Sequence, residues 1–415
     1  MKFWPAVLQK HRYPLVLVTI SLVWLILFEA ATQMARQGIV YPDSQSYIVS
    51  AENLYLHFRG HNFRPLLMAV LTGVPYLFNG DRADILNFNL AVNVFCWIAS
   101  VWLVFSIAKN YVSERWAFLS SMLFIGMMGS SALVFHLLTE TIYLSMILLA
   151  VWLLLRYENQ GCYPYLALGL SILLLTMLVR PGGMVFAVIA TLFYARDLLA
   201  RGISRTQSWI AGALVLIAVQ CIGMRYQFGN FTLSYIDTVT YYNYLGSKAQ
   251  AFADGKTYSQ ENNLRSDDIY PLPGPEQKRL ASADFIRQFK SHPEFLALAY
   301  ADNLLENSKT GSTPIADCKN LHGSKAFFGP ELFWISKWQN RIFSVAGILA
   351  GSFFLLIGTR VQRIMALFVM TTVFLSGISC SQGDRFHIVT FPVTIVLCAI
   401  AVKKITRYAA PPRIG

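Results

Sequence analysis

Long apolar runs separated by short polar segments dominate the pattern along the chain. A helix that crosses a bilayer needs about 20 mostly apolar residues, with a range of roughly 17–25. The pattern therefore predicts an all-α polytopic membrane protein with about ten transmembrane helices, of which the sixth is short for a span. The predicted spans are residues 13–33, 84–108, 116–135, 137–156, 163–179, 182–195, 208–225, 338–358, 362–380 and 386–402.

One further apolar stretch, residues 64–79, is not predicted to span. It is short and contains Pro65, Gly73 and Pro75. Counting it as a span would also place the basic loops on the outer side, against the usual bias of Lys and Arg toward the cytoplasm. We therefore expect an interfacial or re-entrant segment that packs against the bundle.

Two longer polar segments interrupt the spans and divide the chain into three parts. Residues 1–225 form a transmembrane module whose first outer loop, residues 34–83, carries the candidate chemistry. Residues 226–337 include proline-containing loops and a helix-like run at 281–305, which predicts a small extracytoplasmic cap. Residues 338–415 supply the last helices and a cytoplasmic tail.

Composition supports this class and excludes several others. Hydrophobic residues make up 55% of the chain and charged residues 13%, which is about half of the ~25% found in soluble domains. These values exclude a soluble globular protein, a disordered chain, a coiled coil, a collagen and a small disulfide scaffold.

The net charge of +12 is explained by the Lys and Arg residues of loops expected to face the cytoplasm. It does not indicate nucleic-acid binding, because the chain has no nucleic-acid motif. Basic residues concentrate in alternate short loops, for example at Lys109, Arg360 and Arg363. Because loops of this kind face the cytoplasm, both termini are expected to be cytoplasmic. The apolar run near the N-terminus is expected to be an uncleaved signal anchor.

The cysteines and histidines do not indicate a metal site. The six cysteines show no CxxC motif and no Cys/His spacing typical of zinc ligands. Cys318 and Cys380 should both face the outer side, but nothing in their spacing requires a disulfide. His57 and His61 lie four residues apart with Gly60 between them, so solvated loop histidines are favoured over metal ligands.

Ionisable residues are nearly absent from the predicted spans and gather at their outer ends. Ion-coupled transporters instead keep charged groups near the membrane midplane, on broken helices. The distribution therefore favours a reaction at the membrane surface. The residues concerned are Glu29, His136, Glu140, Arg180, Asp384, Arg385 and His387.

Asp43 is the strongest candidate for chemistry, and two interpretations of it remain open. It follows Pro42 and precedes a predicted helix that begins near Ser44. A carboxylate at that place is a good N-terminal cap of the helix. It can equally act as a general base that faces the outer surface.

Three arginines are predicted at the same interface: Arg64 before a proline, Arg180 before a Pro-Gly-Gly turn, and Arg385 before the last span. A guanidinium at this depth can bind a lipid phosphate through paired hydrogen bonds. It can also snorkel to headgroups or pair with Glu140 or Asp384. For Glu140, a structural ion pair and a catalytic role are both open.

The order of these motifs resembles the GT-C superfamily of integral-membrane glycosyltransferases, especially the bacterial protein mannosyltransferases and lipid A aminoarabinose transferases. The likeness covers most of residues 1–225 and 338–402. The first outer loop resembles the family's motif D-x3-Y-x3-A-x-N-L at Asp43, Tyr47, Ala51, Asn53 and Leu54. The other similar stretches are RPLLMAVLTGVPYLFNG, NFNLAVNVFCWIASVWLVFSIAKNY, LTETIYLSMILLAVWLL, LLTMLVRPGGMVF and GDRFHIVTFPVTIVL.

The resemblance implies an inverting glycosyltransferase that works at the extracytoplasmic face of a membrane, with a bacterial inner membrane as the expected location. Its donor would be a sugar on a polyprenyl phosphate, and its acceptor a glycan, a lipid or a protein, with no other cofactor. Asp43 would be the base, and the donor phosphate would bind to Arg64, Arg180 and Arg385. The expected supporting residues are Tyr47, His61, His136 and Glu140.

The chain departs from the family pattern at several positions. Leu66 stands where a second proline is usual, and Phe386 where a tyrosine is usual. Asn62 and Phe63 stand where the family has a second acidic residue. These departures leave open a second catalytic carboxylate and a requirement for a divalent metal.

Two other classes compete with a transferase. A flippase for lipid or polysaccharide needs a hydrophilic path through the bundle, and almost no charged residues are available to line one. An O-antigen polymerase or ligase is also a multi-span protein with a large outer loop, but it would lack Asp43 at this position. A transferase breaks a glycosidic bond, whereas a flippase moves the lipid intact.

Overall fold

The computed structural model describes the backbone of residues 3–200, 206–319 and 328–409, and the side chains of the same residues except 3–11 and 407–409. Every regular element in these ranges is helical, which confirms the predicted all-α class. The first eleven helices are α1 Phe3–Thr32, α2 Pro42–His57, α3 Leu66–Thr72, α4 Arg82–Ala108, α5 Glu114–Ile125, α6 Met128–Leu133, α7 Glu140–Gln160, α8 Tyr163–Thr176, α9 Met184–Phe193, α10 Ala195–Leu199 and α11 Gln207–Phe228.

The cap segment, residues 226–337, is built mainly from short helices, and three long helices complete the bundle. A π-helical turn, Tyr241–Leu245, connects two of the short helices. The remaining helices are α12 Ile236–Thr240, α13 Gly246–Ala253, α14 Arg265–Ile269, α15 Gly274–Ser291, α16 Pro293–Lys309, α17 Thr313–Ala316, α18 Gly329–Ile357, α19 Arg360–Leu375 and α20 Phe391–Ala409.

Seven helices in the described part of the chain are long and apolar enough to cross a membrane: α1, α4, α7, α11, α18, α19 and α20. They make the chain an integral membrane protein. The other three predicted spans correspond to shorter helices, namely α5 with α6, α8 and α9. The structure therefore leaves the count of about ten spans unconfirmed.

The third predicted span, residues 116–135, is not one continuous helix. Helix α5 ends at Ile125, α6 covers Met128–Leu133, and α7 begins at Glu140 and not at 137. Within α6 the packing is close, because a Cβ atom on Gly129 would collide with the carboxylate of Asp384. Helix α6 thus packs directly against a loop that is distant in the sequence.

Residues 64–79 form short helical pieces and no span, as predicted. Helix α3 is followed by a single 3-10 helix, Val74–Phe78. Tyr55 on α2 donates a hydrogen bond to the carbonyl of Val70 at 2.7 Å. A Cβ atom on Gly73 would collide with the ring of Tyr55, so α3 packs directly on α2.

The helix-like run predicted at residues 281–305 is divided between α15 and α16. The break lies at His292, immediately before Pro293. Proline disfavours the helical conformation of the residue before it, and it opens the next helix readily because it needs no N–H partner there. Helix α16 then turns back to contact the segment that follows α19.

The orientation of the chain is a prediction that reporter fusions can test. We expect a fusion at Gly161 or Thr359 to report the cytoplasm and a fusion at Gly255 to report the outside. Gly161 and Gly255 have positive φ and open space around them, so insertions there should leave the packing intact. Gly161 and Gly255 on the same side would contradict the predicted topology. Gly202 and the tail residues 410–415, also predicted to be cytoplasmic, lie outside the described residues.

Candidate active site

Asp43 lies in the first turn of α2 and does not cap it. The helix begins at Pro42, and the N-cap residue is Tyr41, which has an extended backbone and makes no capping hydrogen bond. The structure therefore contradicts the capping interpretation of Asp43, one of the two that the sequence left open. A carboxylate in the first turn still interacts favourably with the helix dipole, but its hydrogen bonds go elsewhere.

Each carboxylate oxygen of Asp43 accepts a hydrogen bond from a different arginine. Nη2 of Arg64 donates to Oδ1 at 2.6 Å, and Nη2 of Arg385 donates to Oδ2 at 3.1 Å. Burial alone would raise the pKa of the Asp43 carboxyl, but the two guanidinium groups outweigh burial and lower it to about 2. Asp43 is therefore fully ionised at neutral pH.

Arg64 is held by two further residues of α2. Its Nε donates to Oγ of Ser46 at 2.6 Å, and its Nη1 donates to Oη of Tyr47 at 3.3 Å. The guanidinium also lies over the ring of Tyr47, 4.4 Å from its centroid. Asp43, Ser46 and Tyr47 share one helix face, at i, i+3 and i+4. The sequence motifs did not indicate Ser46. Its i+3 spacing from Asp43 was the signal by which it could have been found.

The loop that carries Arg64 is fixed from α11 and from the cap segment. The backbone N–H of Leu66 donates to Oε1 of Gln220 at 3.0 Å. Oγ of Ser234 donates to the carbonyl of Phe63 at 2.8 Å. These bonds hold the residues on both sides of Arg64, so its guanidinium reaches α2 from a fixed position.

Glu140, the first residue of α7, is the second carboxylate of the site and is 1% exposed. Nε of Arg385 donates to its Oε1 at 2.9 Å. Nη1 of Arg180 lies 3.2 Å from the same oxygen as an ion pair, but this buried nitrogen makes no hydrogen bond. Glu140 thus joins two arginines that the sequence places 205 residues apart, and one of them has an unused donor.

The loop that carries Arg385 is fixed by polar groups from α16, α18 and the end of α19. Nδ2 of Asn307 donates to the carbonyl of Ser376 at 2.9 Å. The ring of His387 lies between Oγ of Ser344 at 2.7 Å and Oγ of Ser376 at 2.8 Å. These contacts fix the chain on both sides of Arg385, which explains how one side chain can reach two carboxylates.

Asp384, beside Arg385 in the chain, is not an ion-pair partner of the three arginines in the described structure. It is 1% exposed and packs on Gly129, and its Oδ1 has no hydrogen-bond partner. Burial raises the pKa of Asp384 to about 7. A carboxyl that is partly protonated at neutral pH does not fully offset the positive charge of Arg385.

The two predicted supporting histidines lie near the arginines without bonding to the carboxylates. His136 packs edge-on against Tyr41 with ring centroids 5.2 Å apart, and its buried Nε2 has no hydrogen bond. Nδ1 of His61 accepts a hydrogen bond from the N–H of Phe63 at 3.1 Å. Burial, followed by the charge of a neighbouring arginine, lowers the pKa of each histidine to about 4.

Two pairs of residues that the sequence analysis considered, one of histidines and one of cysteines, do not form a site in the structure. His57 is the last residue of α2 while His61 lies beyond it, so the two do not share a helix face. Cys318 and Cys380 are both free thiols. No group of three or more His, Cys, Asp or Glu side chains within the described residues is placed to hold a metal ion.

The site is thus a chain of alternating charges, in the order Arg64, Asp43, Arg385, Glu140 and Arg180. Three guanidinium groups face two carboxylates, so one positive charge is uncompensated.

Tyr244 of the cap segment lies beside this chain of charges. Burial, then Tyr270 and Asp43, raise the pKa of Tyr244 to about 12. Tyr244 is therefore close enough to Asp43 for the charge of this carboxylate to act on it.

Comparison with known proteins supports the fold. No protein-family model and no curated protein matches the chain in sequence. The apo oligosaccharyltransferase of Archaeoglobus fulgidus matches with a TM-score of 0.52 and 13% identity over 96% of this chain and 50% of that chain. ArnT from Cupriavidus metallidurans, bound to undecaprenyl phosphate, matches with a TM-score of 0.41 and 12% identity over 97% and 80%. The chain spans about half the length of the oligosaccharyltransferase, and its fold is similar to that half, in agreement with the GT-C-like fold that the motifs implied.

Proposed function

We propose that the protein is a membrane-embedded glycosyltransferase that moves a sugar from a polyprenyl phosphate to a glycan, lipid or protein acceptor at the extracytoplasmic face. The observation that carries this proposal is the alternating chain of three arginines and two carboxylates, assembled from five distant parts of a GT-C fold. The surplus positive charge suits an anionic lipid headgroup, and the carboxylates supply a base beside it.

The donor phosphate is proposed to bind to Arg64, Arg180 and Arg385. Arginine forms planar, charge-assisted hydrogen bonds with phosphate oxygens. Arg180 supports this role most directly, because its buried Nη1 makes no hydrogen bond and can donate to a ligand. A sugar phosphodiester carries one negative charge, which suits the positive charge that the ion pairs of the site leave uncompensated.

Asp43 is proposed to accept the proton of the acceptor in a single displacement. The acceptor's oxygen or nitrogen attacks the anomeric carbon and loses its proton to Asp43. The bond between the anomeric carbon and the phosphate oxygen breaks, and its electron pair stays on the phosphate. Arg64, Arg180 and Arg385 stabilise the negative charge that develops there. Attack from the side opposite the phosphate inverts the anomeric configuration.

The other residues are proposed to position these groups. Glu140 aligns Arg180 and Arg385, since it contacts both. Tyr47 holds Arg64 through its hydroxyl and its ring. His61 stabilises the turn before Arg64. His136 supports the ring of Tyr41, over which Arg385 lies at 5.8 Å.

Replacing Arg64 tests the proposed function. We expect Arg64→Ala to raise the donor KM by at least roughly ten-fold, since a charged hydrogen bond contributes about 1.5–3 kcal/mol, while the acceptor KM changes little. Arg64→Lys should recover only part of the donor affinity because lysine lacks the planar fork. Purified variants in lipid nanodiscs would be titrated with polyprenyl-phosphate-linked sugars, and release of the free lipid phosphate measured. Arg59→Ala, an exposed arginine before the same loop, is the matched control.

Two results would contradict the proposal. Unchanged donor dependence in Arg64→Ala would assign this residue to ordinary contacts with headgroups. Passage of the lipid across the membrane with its glycosidic bond intact would favour a flippase. A mass spectrum of the lipid that co-purifies with the protein would identify the donor class independently.

A further inference from the structure

The structure shows Asp43 in a state that is unsuited to proton transfer. Both carboxylate oxygens accept charge-assisted hydrogen bonds, from Arg64 and Arg385. A general base works best when its pKa lies near the working pH. The two arginines outweigh burial and hold the pKa of Asp43 at about 2. The carboxylate is therefore a weak base for as long as both arginines stay on it.

Each of these arginines has a second anchor. Nε and Nη1 of Arg64 are held by Ser46 and Tyr47, and Nε of Arg385 is held by Glu140, whose Oε1 also lies 2.9 Å from Nη2 of Arg385. Only the Nη2 group of each arginine is committed to the carboxylate of α2. These two groups can therefore change partner while the guanidinium planes keep their positions.

We propose that the phosphate of the donor takes the Nη2 groups of Arg64 and Arg385 from Asp43, so that donor binding itself releases the base. The inference rests on the proposed function and concerns the regulation of the same site. One phosphate group has enough acceptor oxygens for both donors. It would also cancel the surplus positive charge of the site, which Asp43 and Glu140 together leave uncompensated.

Release from the arginines changes what Asp43 can do. Without these partners, burial is the main influence on the carboxylate, and burial raises a carboxyl pKa. Asp43 can then take the acceptor's proton as the phosphate departs with its electron pair. When the free lipid phosphate leaves, the arginines return to Asp43 and its proton passes to water. The acceptor is therefore activated only after the donor has bound.

Donor binding by an Asp43 variant tests the exchange. In the wild-type protein the phosphate must displace a carboxylate from two arginines, whereas in Asp43→Asn it displaces only a neutral amide. We expect Asp43→Asn to bind a sugar-free polyprenyl monophosphate roughly ten-fold more tightly than wild type, since hydrogen bonds between charged groups contribute about 1.5–3 kcal/mol. Glu52→Gln, which removes an exposed carboxylate from the same helix, should bind as wild type does. Titration in nanodiscs, followed by native mass spectrometry, measures all three affinities.

A second measurement uses the wild-type protein and so does not depend on how the variant folds. Carbodiimide modifies carboxyl groups that can be protonated, and we expect modification of Asp43 to increase when the polyprenyl monophosphate is added. Equal or weaker lipid binding by Asp43→Asn, or modification that does not increase, would overturn the exchange and leave the proposed function standing. Failure of the wild-type protein to bind the lipid phosphate at all would overturn both.

Discussion

Asp43→Asn is expected to lower sugar transfer by roughly 10²–10⁴-fold, the range that general-base catalysis typically contributes, while the yield of folded protein stays near that of wild type. Asparagine has almost the same size and shape as aspartate but cannot accept a proton at neutral pH. The loss should appear in kcat, while the donor KM should not rise, because the arginines that bind the phosphate remain in place and no longer face a competing carboxylate.

The folded yield should hold because neither arginine loses its only partner. Arg64 keeps its bonds to Ser46 and Tyr47, and Arg385 keeps its bond to Glu140. Helix α2 loses no capping bond, since its N-cap residue makes none through its side chain.

The comparison requires equal amounts of protein in the membrane, with Glu52→Gln as the control for the loss of one charge on α2. Near-normal transfer by Asp43→Asn would remove Asp43 from the chemistry. The arginine cluster would then be a headgroup-binding site without an assigned base.

The sequence predicted helices well where an apolar run alone decides the outcome. Helices α4, α7 and α11 follow their predicted spans closely, because burial in lipid requires long helices with internal hydrogen bonds. The prediction was wrong at residues 116–135, where the chain forms two short helices and Gly129 of the second packs on Asp384. No local pattern reports a contact between residues so far apart.

For the candidate site, the sequence predicted the individual residues but not the contacts between them. Short motifs identified Asp43, Glu140 and the three arginines one by one, yet nothing local indicated that Arg385 would contact both carboxylates. That contact depends on hydrogen bonds from Asn307 of α16 and Ser344 of α18, which hold the loop that carries Arg385. No sequence pattern indicates that these residues contact that loop. The capping interpretation of Asp43 could have been set aside from the sequence, because proline is common at the first position of a helix and Pro42 therefore marks the start of α2 before Asp43.

Arg385→Ala is expected to be the most damaging single substitution, because it removes the link between the two carboxylates. Glu140 is 1% exposed, and without Arg385 it keeps a long hydrogen bond from Oγ1 of Thr139 at 3.4 Å and an ion pair with Arg180 that lacks a hydrogen bond. Removing one partner of a buried ion pair typically costs about 3–5 kcal/mol. We expect a much lower folded yield, a reduced melting temperature in detergent, and no measurable sugar transfer.

A double variant separates this loss of stability from a loss of chemistry. Arg385→Met combined with Glu140→Gln removes both charges of the pair, and replacing a buried ion pair as a whole is often neutral for stability. We expect its melting temperature and folded yield to recover part of the loss, because no buried carboxylate is left unpaired even though Arg180 loses its ion pair with Glu140. Transfer should stay absent, since the donor phosphate still lacks one arginine and Arg180 has lost its only carboxylate contact. Size-exclusion profiles, melting curves and release of the lipid phosphate would be compared for both variants. Sugar transfer by the refolded double variant at the wild-type rate would show that Arg385 acts only in holding the fold together.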